Sequence, residues 1–155
     1  MKLLVVSDTH GDTFSLKKAI MSKHDAEVII HCGDGNSEFV ALNHQFPEKH
    51  FIGVKGNCDL FSSAENIETI TLEGKKIFVT HGHIYNAKYG LYNLVCAARE
   101  AKADLLLFGH THNALADYDD GLYIVNPGSC HGYGASYAYI DVTEKGIVTR
   151  HFKVE

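Results

Sequence analysis

An α/β fold is predicted by three features of the chain. Short, uninterrupted aliphatic runs recur, as at Leu3-Leu4-Val5-Val6 and Val28-Ile29-Ile30. They are too short for helices and too uniformly apolar for strands with one wet face, so they read as strands of a parallel sheet buried on both sides. Each run stops in a polar, glycine-containing loop, and segments of helical periodicity lie between the runs. In open α/β sheets ligands collect at the carboxyl ends of the strands, the edge to which these loops belong.

The elements follow in order. Leu3 to Val6 is the first strand, ending at Ser7-Asp8-Thr9-His10-Gly11-Asp12. Asp12 or Thr13 can cap a helix from Phe14 to Lys23, with Leu16, Ala19 and Ile20 on one face. Glu27 to His31 is the second strand, ending at Cys32-Gly33-Asp34-Gly35-Asn36, and a helix from Ser37 to His44 stops before Pro47. Phe51 to Val54 is the third strand, ending at Lys55-Gly56-Asn57-Cys58-Asp59. Right-handed crossovers in this βαβαβ unit would set the three loops along one sheet edge. Ile67 to Leu72 and Lys76 to Thr80 form a hairpin about Glu73-Gly74, whose second strand runs into His81-Gly82-His83. Tyr89 to Lys102 reads as a helix with Leu91, Leu94, Val95 and Ala98 at core spacing. Asp104 to Phe108 is another buried strand, ending at Gly109-His110-Thr111-His112-Asn113. Strands at Leu115–Tyr118 and Leu122–Asn126, the Asn126-Pro127-Gly128-Ser129 segment, and a hairpin turning near Glu144-Lys145-Gly146 complete the chain.

Composition narrows the function. The 155 residues suit one domain, 1–155, without linker, repeat or low-complexity segment. No apolar run approaches the roughly 20 residues of a membrane span, and the amino terminus lacks the pattern of a signal peptide. The four cysteines show no paired spacing, so reduced thiols and a cytoplasmic location are expected. A net charge of −5 argues against a dedicated binder of long nucleic acid. Eleven histidines stand against only 14 lysines and arginines, which points to metal.

The strand ends carry that signal. Asp8 and His10, then Asp34, Asn57, His81, and finally His110 with His112 each follow directly on an apolar strand. Any one piece alone reads as a solvated turn; the ordered set does not, because turn chemistry does not require carboxylate or imidazole after every strand. These oxygen and nitrogen donors suit Mn²⁺, Fe²⁺, Zn²⁺ or Ni²⁺ better than a cysteine-rich structural zinc site. Seven donors are too many for one ion and enough for two that share a carboxylate. Two ions about 3.5–4 Å apart clamp a phosphate and make hydroxide available near neutral pH.

Asp8-Thr9-His10, Gly33-Asp34, Gly56-Asn57-Cys58-Asp59, His81 and Gly109-His110-Thr111-His112 resemble the five ordered motifs of the calcineurin-like metallophosphoesterases. The small size, Gly-Asn-Cys-Asp and Asn-Pro-Gly-Ser are similar to the YfcE-type phosphodiesterases in particular. The resemblance covers nearly the whole chain. It implies a four-layer α/β/β/α sandwich of two mixed β-sheets flanked by helices. It further implies one ion on Asp8, His10, Asp34 and His112, a second on Asp34, Asn57, His81 and His110, and Asp34 between them. The implied activity is hydrolysis of a small phosphodiester by a metal-bridging hydroxide, with Asn57 and His81 as positioned ligands and Mn²⁺ the first choice of ion. A homo-oligomer is compatible with the sequence. The alternative is a non-catalytic interaction scaffold, a use that a eukaryotic retromer subunit makes of the same fold. The complete ligand set favours the enzyme.

The chain departs from the wider superfamily at Cys58, where many members have a histidine that contacts phosphate and protonates the leaving oxygen. Cys58 is expected to be a small buried residue without a chemical task, and Asp59 to be the retained acid that would have oriented the histidine. His83 either faces the cleft as a phosphate contact or is a solvated loop residue, and His131 is open. His31 is expected to be a core or supporting residue; His24, His44, His50 and His151 to be ordinary. Asn126 to Ser129 should shape the loop beside the site.

Overall fold

A computed structural model describes residues 1–155. The strands are β1 (Lys2–Val6), β2 (Val28–His31), β3 (His50–Gly53), β4 (Ile67–Leu72), β5 (Lys75–Thr80), β6 (Leu105–Leu107), β7 (Leu115–Asp119), β8 (Leu122–Asn126), β9 (Ser136–Thr143) and β10 (Gly146–Lys153). The helices are α1 (Thr13–Ser22), α2 (Asn36–Asn43) and α3 (Tyr92–Glu100). One five-stranded sheet has the order β10-β9-β1-β2-β3, the other β4-β5-β6-β8-β7. Each is mixed: β1, β2 and β3 are parallel, as are β5, β6 and β8, and the remaining strands join antiparallel.

The alternation of side chains along a strand explains the layering. Leu3 and Val5 of β1 point the same way as Val28 and Ile30, and meet Ile77, Val79, Leu105, Leu107 and Val125 of the opposite sheet in the central core. Leu4, Val6 and Ile29 point the other way, onto Leu16, Ala19 and Ile20 of α1 and Phe39 and Leu42 of α2. Phe78, Leu106 and Ile124 use their outer face to receive Leu94 and Ala98 of α3. The result is helix, sheet, sheet, helix, with the runs read as doubly buried strands lying in the middle.

Two local differences have simple causes. The helix read from Tyr89 begins later, at Tyr92, after two 3₁₀ turns (His83–Tyr85 and Ala87–Tyr89) and Gly90 at φ 134°. No L-residue favours that backbone angle, so Gly90 breaks the helix that the apolar spacing alone suggests. Asp12 rather than Thr13 caps α1, its carboxylate accepting from the Ser15 N–H at 3.0 Å.

The central core yields a direct test. Leu107 is fully buried between the sheets, so Leu107→Ala should cost about 2–5 kcal/mol of stability. Urea unfolding measures it, and a loss below about 0.5 kcal/mol would contradict this packing.

Candidate metal centre

The five strand ends meet along one edge. Asp8 and His10 follow β1, Asp34 follows β2, Asn57 follows β3, His81 follows β5, and His110 and His112 follow β6. Nine non-glycine residues have positive φ, and five of them are Asp8, His10, Asp34, His110 and His112. Such backbone is sparsely populated for L-residues and persists only where the surroundings enforce it. Here the loops enforce it on one another: the Asp8 N–H donates to Gly33 O at 2.9 Å, the His10 N–H to Asp34 O at 3.0 Å, and the Gly109 N–H to His81 O at 3.0 Å.

Asp8 is fully buried. Its Oδ2 accepts from Ser7 Oγ at 2.6 Å and from the His110 N–H at 3.0 Å. Its Oδ1 is buried with no hydrogen-bond partner. Around that oxygen stand His112 Nε2 at 3.2 Å, without hydrogen-bond alignment, His10 Nε2 at 3.6 Å and His81 Nε2 at 3.8 Å. His10 Nε2 and His112 Nε2 face each other at 3.4 Å. A buried, unpartnered carboxylate oxygen is costly in itself. Ringed by ligand nitrogens, it fits a cation.

A second convergence lies beside it. His81 is fully buried, and its Nδ1 lies 2.7 Å from Cys32 O. A carbonyl only accepts, so Nδ1 carries the proton and Nε2 of the neutral ring presents a lone pair. That lone pair faces Asn57 Oδ1 at 3.1 Å, His110 Nδ1 at 3.2 Å and Asp34 Oδ2 at 3.3 Å. Two oxygen acceptors aimed at a nitrogen acceptor repel unless positive charge stands between them. Burial opposes charge on His81, but its bond to Asp34 and the charges of Asp8 and Asp34 outweigh burial and raise its pKa. Asp34 Oδ1 is occupied by the Cys58 N–H at 2.8 Å. Its Oδ2 is 3.3 Å from His81 Nε2 and 3.9 Å from His10 Nε2, so one oxygen faces both convergences. Burial works against the Asp34 carboxylate, yet His81 and the Cys58 N–H hold its pKa below the usual range.

The profile of the calcineurin-like phosphoesterase superfamily domain matches residues 1–145. The chain belongs to the calcineurin-like phosphoesterase superfamily. It is 39% identical over 131 residues to the probable metallophosphoesterase YsnB of Bacillus subtilis, covering 83% of this chain and 75% of that protein. It is 30% identical over 149 residues to the phosphodiesterase MJ0936 of Methanocaldococcus jannaschii, covering 86% of both. Among solved structures, Vps29 of Entamoeba histolytica complexed with Zn²⁺ covers all of both chains at TM-score 0.76 and 19% identity, a likeness of fold alone.

In this superfamily member the remaining predicted residues fall out differently. Cys58 is exposed, not buried, and its thiol lies within 4.8 Å of ligand atoms of His10 and Asp34. The tight Asn57-Cys58 turn carries it outward, because the Cys58 N–H is tied inward to Asp34. Asp59 is not a free orienting acid. Its Oδ1 accepts from the N–H groups of Gly35 and Asn36, and its Oδ2 from those of Asp34 and Gly56, all at 2.8–3.1 Å. It therefore caps α2 from outside the helix and binds two ligand loops together. His83 is half-buried with its ring centre 5.4 Å from that of His81, and its Nδ1 is buried without a partner. His131 Nδ1 lies 3.0 Å from Thr9 O, and its ring centre is 6.2 Å from that of His10. His24, His44 and His50 are exposed, but His151 is part-buried and its Nε2 reaches Asn126 O at 2.7 Å.

Sequence reading missed the hydrogen-bonded chain behind the ligands. The Gly33 N–H donates to His31 Nδ1 at 3.0 Å, so the neutral ring carries its proton on Nε2 and donates to Thr9 Oγ1 at 2.9 Å. The Thr9 hydroxyl then donates to Glu38 at 3.0 Å, and the same Glu38 oxygen accepts from the Gly11 N–H. An acidic residue in the first turn of α2 was the available signal for Glu38, but its target lies in another loop. Asn126 Nδ2 donates to Gly109 O at 3.0 Å and Ser129 Oγ to Asp8 O at 2.8 Å, as expected of a shaping segment. Gly56 is required by close approach: a Cβ there would collide with the Asp34 carboxylate.

Two outcomes follow for the metal-free protein. Removing the Asp59 carboxylate strands four backbone N–H groups, so Asp59→Ala should lose about 3 kcal/mol of stability in urea unfolding; a change within about 0.5 kcal/mol would contradict the clamp. Burial lowers the pKa of His31 to about 4, against 6.5 for a free ring. The stability that its neutral form contributes is complete above about pH 6.5 and falls by about 3 kcal/mol as pH drops to about 4. His31→Gln should flatten that part of the stability–pH curve; an unchanged slope would show that His31 does not supply it.

Proposed function

We propose that the chain, as one domain over 1–155, is a metal-dependent phosphodiesterase acting on small substrates. One divalent cation would be held by Asp8, His10, Asp34 and His112, and a second by Asp34, Asn57, His81 and His110. The observation that carries this reading is the buried, unpartnered Asp8 Oδ1 within 3.2–3.8 Å of three imidazole nitrogens. When bound, a pair of divalent cations supplies Lewis-acid charge opposite phosphoryl oxygens and acidifies water. The mixed set of oxygen and imidazole donors accepts Mn²⁺, Fe²⁺, Zn²⁺ or Ni²⁺, and availability decides among them; Mn²⁺ is our first choice.

The chain's own backbone and side chains do the rest. Cys32 O holds the His81 ring so that Nε2 points inward. The Cys58 N–H fixes Asp34 so that only Oδ2 is presented. The exposed faces of His10, Asn57 and His112 open the site to solvent, where a diester of modest size enters. Net charge −5 disfavours long nucleic acid as substrate. The fold also serves Vps29, so fold alone does not choose between enzyme and scaffold. The complete donor set supports the enzyme.

The purified protein loaded with Mn²⁺ should contain two ions per chain and hydrolyse bis(p-nitrophenyl) phosphate. Chelation should abolish the activity and Mn²⁺ restore it. Asp34→Asn should lower kcat/KM about a hundredfold or more, because Asp34 would be shared between the two ions. At most one ion per loaded chain, together with no hydrolysis, would overturn the reading.

Cys58 replaces the imidazole acid of other members with a thiol, whose pKa burial and the Asp34 charge push up. It is a poor proton donor near neutrality, so rates should fall steeply as the leaving group becomes more basic. A flat dependence of kcat/KM on leaving-group pKa would show that protonation is supplied elsewhere.

A further inference from the structure

A groove of about 540 Å³ begins at Cys58 and runs away from the metal centre, between the start of α2 and residues 59–63. Its near wall is continuous with the ligands: the Cys58 thiol lies within 4.8 Å of ligand atoms of His10 and Asp34. Val40, Leu60 and Phe61 form its apolar sides, and they are 54%, 80% and 101% exposed. Exposed apolar side chains gathered at one spot, beside a polar reaction centre, call for a ligand.

The charge pattern selects which part of a substrate fits. No lysine, arginine or histidine lines the groove. Its one charged residue is Asp59, whose carboxylate already takes the amides of Asp34, Gly35, Asn36 and Gly56. The amino end of α2 is thereby closed to a further anion, and a second phosphate would meet only negative charge. The groove therefore suits an uncharged, flat organic group. Its shape is held in advance: Asn36 Nδ2 donates to Ser62 Oγ at 2.7 Å, and the Ser62 N–H to Asp59 O at 3.2 Å. A preformed apolar slot with hydroxyl and amide groups on one wall matches an aromatic ring carrying polar edges, such as a nucleobase or a phenol.

We propose that this groove is the substrate's organic subsite, receiving an uncharged aromatic ester group while the phosphate sits at the metal centre. The inference rests on the phosphodiesterase reading for the position of the phosphate and adds the substrate class: aryl or nucleoside phosphodiesters. Phe61 and Leu60 cover the ring, and Val40 supports it from α2.

The test uses binding, so that leaving-group chemistry does not enter. Phenyl phosphate and methyl phosphate are titrated into the Mn²⁺-loaded protein by calorimetry, and assayed as competitive inhibitors of bis(p-nitrophenyl) phosphate hydrolysis. Partial burial of a phenyl ring should make phenyl phosphate bind about tenfold tighter than methyl phosphate. Phe61→Ala and Val40→Asn, both at exposed positions that the fold does not need, should bring the ratio near one while methyl phosphate binds as before. A ratio unchanged in both variants overturns the subsite. So does a Phe61→Ala variant that loses self-association in sedimentation while keeping the ratio, which would assign the patch to contact between copies. If the loaded wild type hydrolyses no diester yet keeps the phenyl preference in calorimetry, the activity reading fails and the subsite stands.

Discussion

The structure depends on one unfavourable arrangement: a fully buried carboxylate, Asp8, at the carboxyl end of a doubly buried strand, with one oxygen left without a partner. The arrangement is possible because β1 is doubly buried and delivers the residue rigidly, while Ser7 and the His110 amide hold the other oxygen. The groups that face the free oxygen are ring nitrogens, with further oxygens beside them. His10, His112 and His81 turn ring nitrogens toward it, and Asp34 and Asn57 add oxygens. A site selected only for stability would have paired these groups or replaced them with apolar ones. Concentrated acceptors in low dielectric are stable only with positive charge among them.

Backbone strain belongs to the same account. Five ligand candidates occupy left-handed φ/ψ space, which the loops maintain through mutual hydrogen bonds and the Asp59 clamp. Asp59 bonds the Gly33–Asn36 and Gly56–Asn57 turns into one unit, and the His31–Thr9–Glu38 chain joins the Asp8–His10 turn to α2. The candidate site is thus built on loops that are tied to one another and to α2, as a site of fixed geometry requires.

The sequence carried the layers and most of the site because both have short periods. Leu3 to Val6 alternates between the two cores and could be read as buried on both faces without knowing its neighbours. Polar residues directly after such strands then mark one edge. What could not be read was whatever depended on a partner distant in sequence. Asp59 sits three residues past Gly56, and its role emerges only once the turn at Gly35 is beside it. Cys58 looked like core because cysteine usually is, but the inward bond of its own amide turns the thiol outward. The late start of α3 was hidden because Tyr89 to Lys102 keeps helical spacing across Gly90, whose backbone angle only the structure reveals.

On the metallophosphoesterase reading, Asp8 is kept for a cation at a cost to the cation-free fold. Thermal unfolding of wild type and Asp8→Asn, each with chelator and with saturating Mn²⁺, tests it most directly. With chelator, Asp8→Asn should be at least as stable as wild type, because the substitution removes a buried charge whose second oxygen has no hydrogen-bond partner. With Mn²⁺ at about a thousandfold over its dissociation constant, wild type should gain about 4 kcal/mol per site and Asp8→Asn distinctly less. A wild type that Mn²⁺ does not stabilise, with Asp8→Asn less stable under both conditions, would show that the carboxylate serves the fold and would contradict the account.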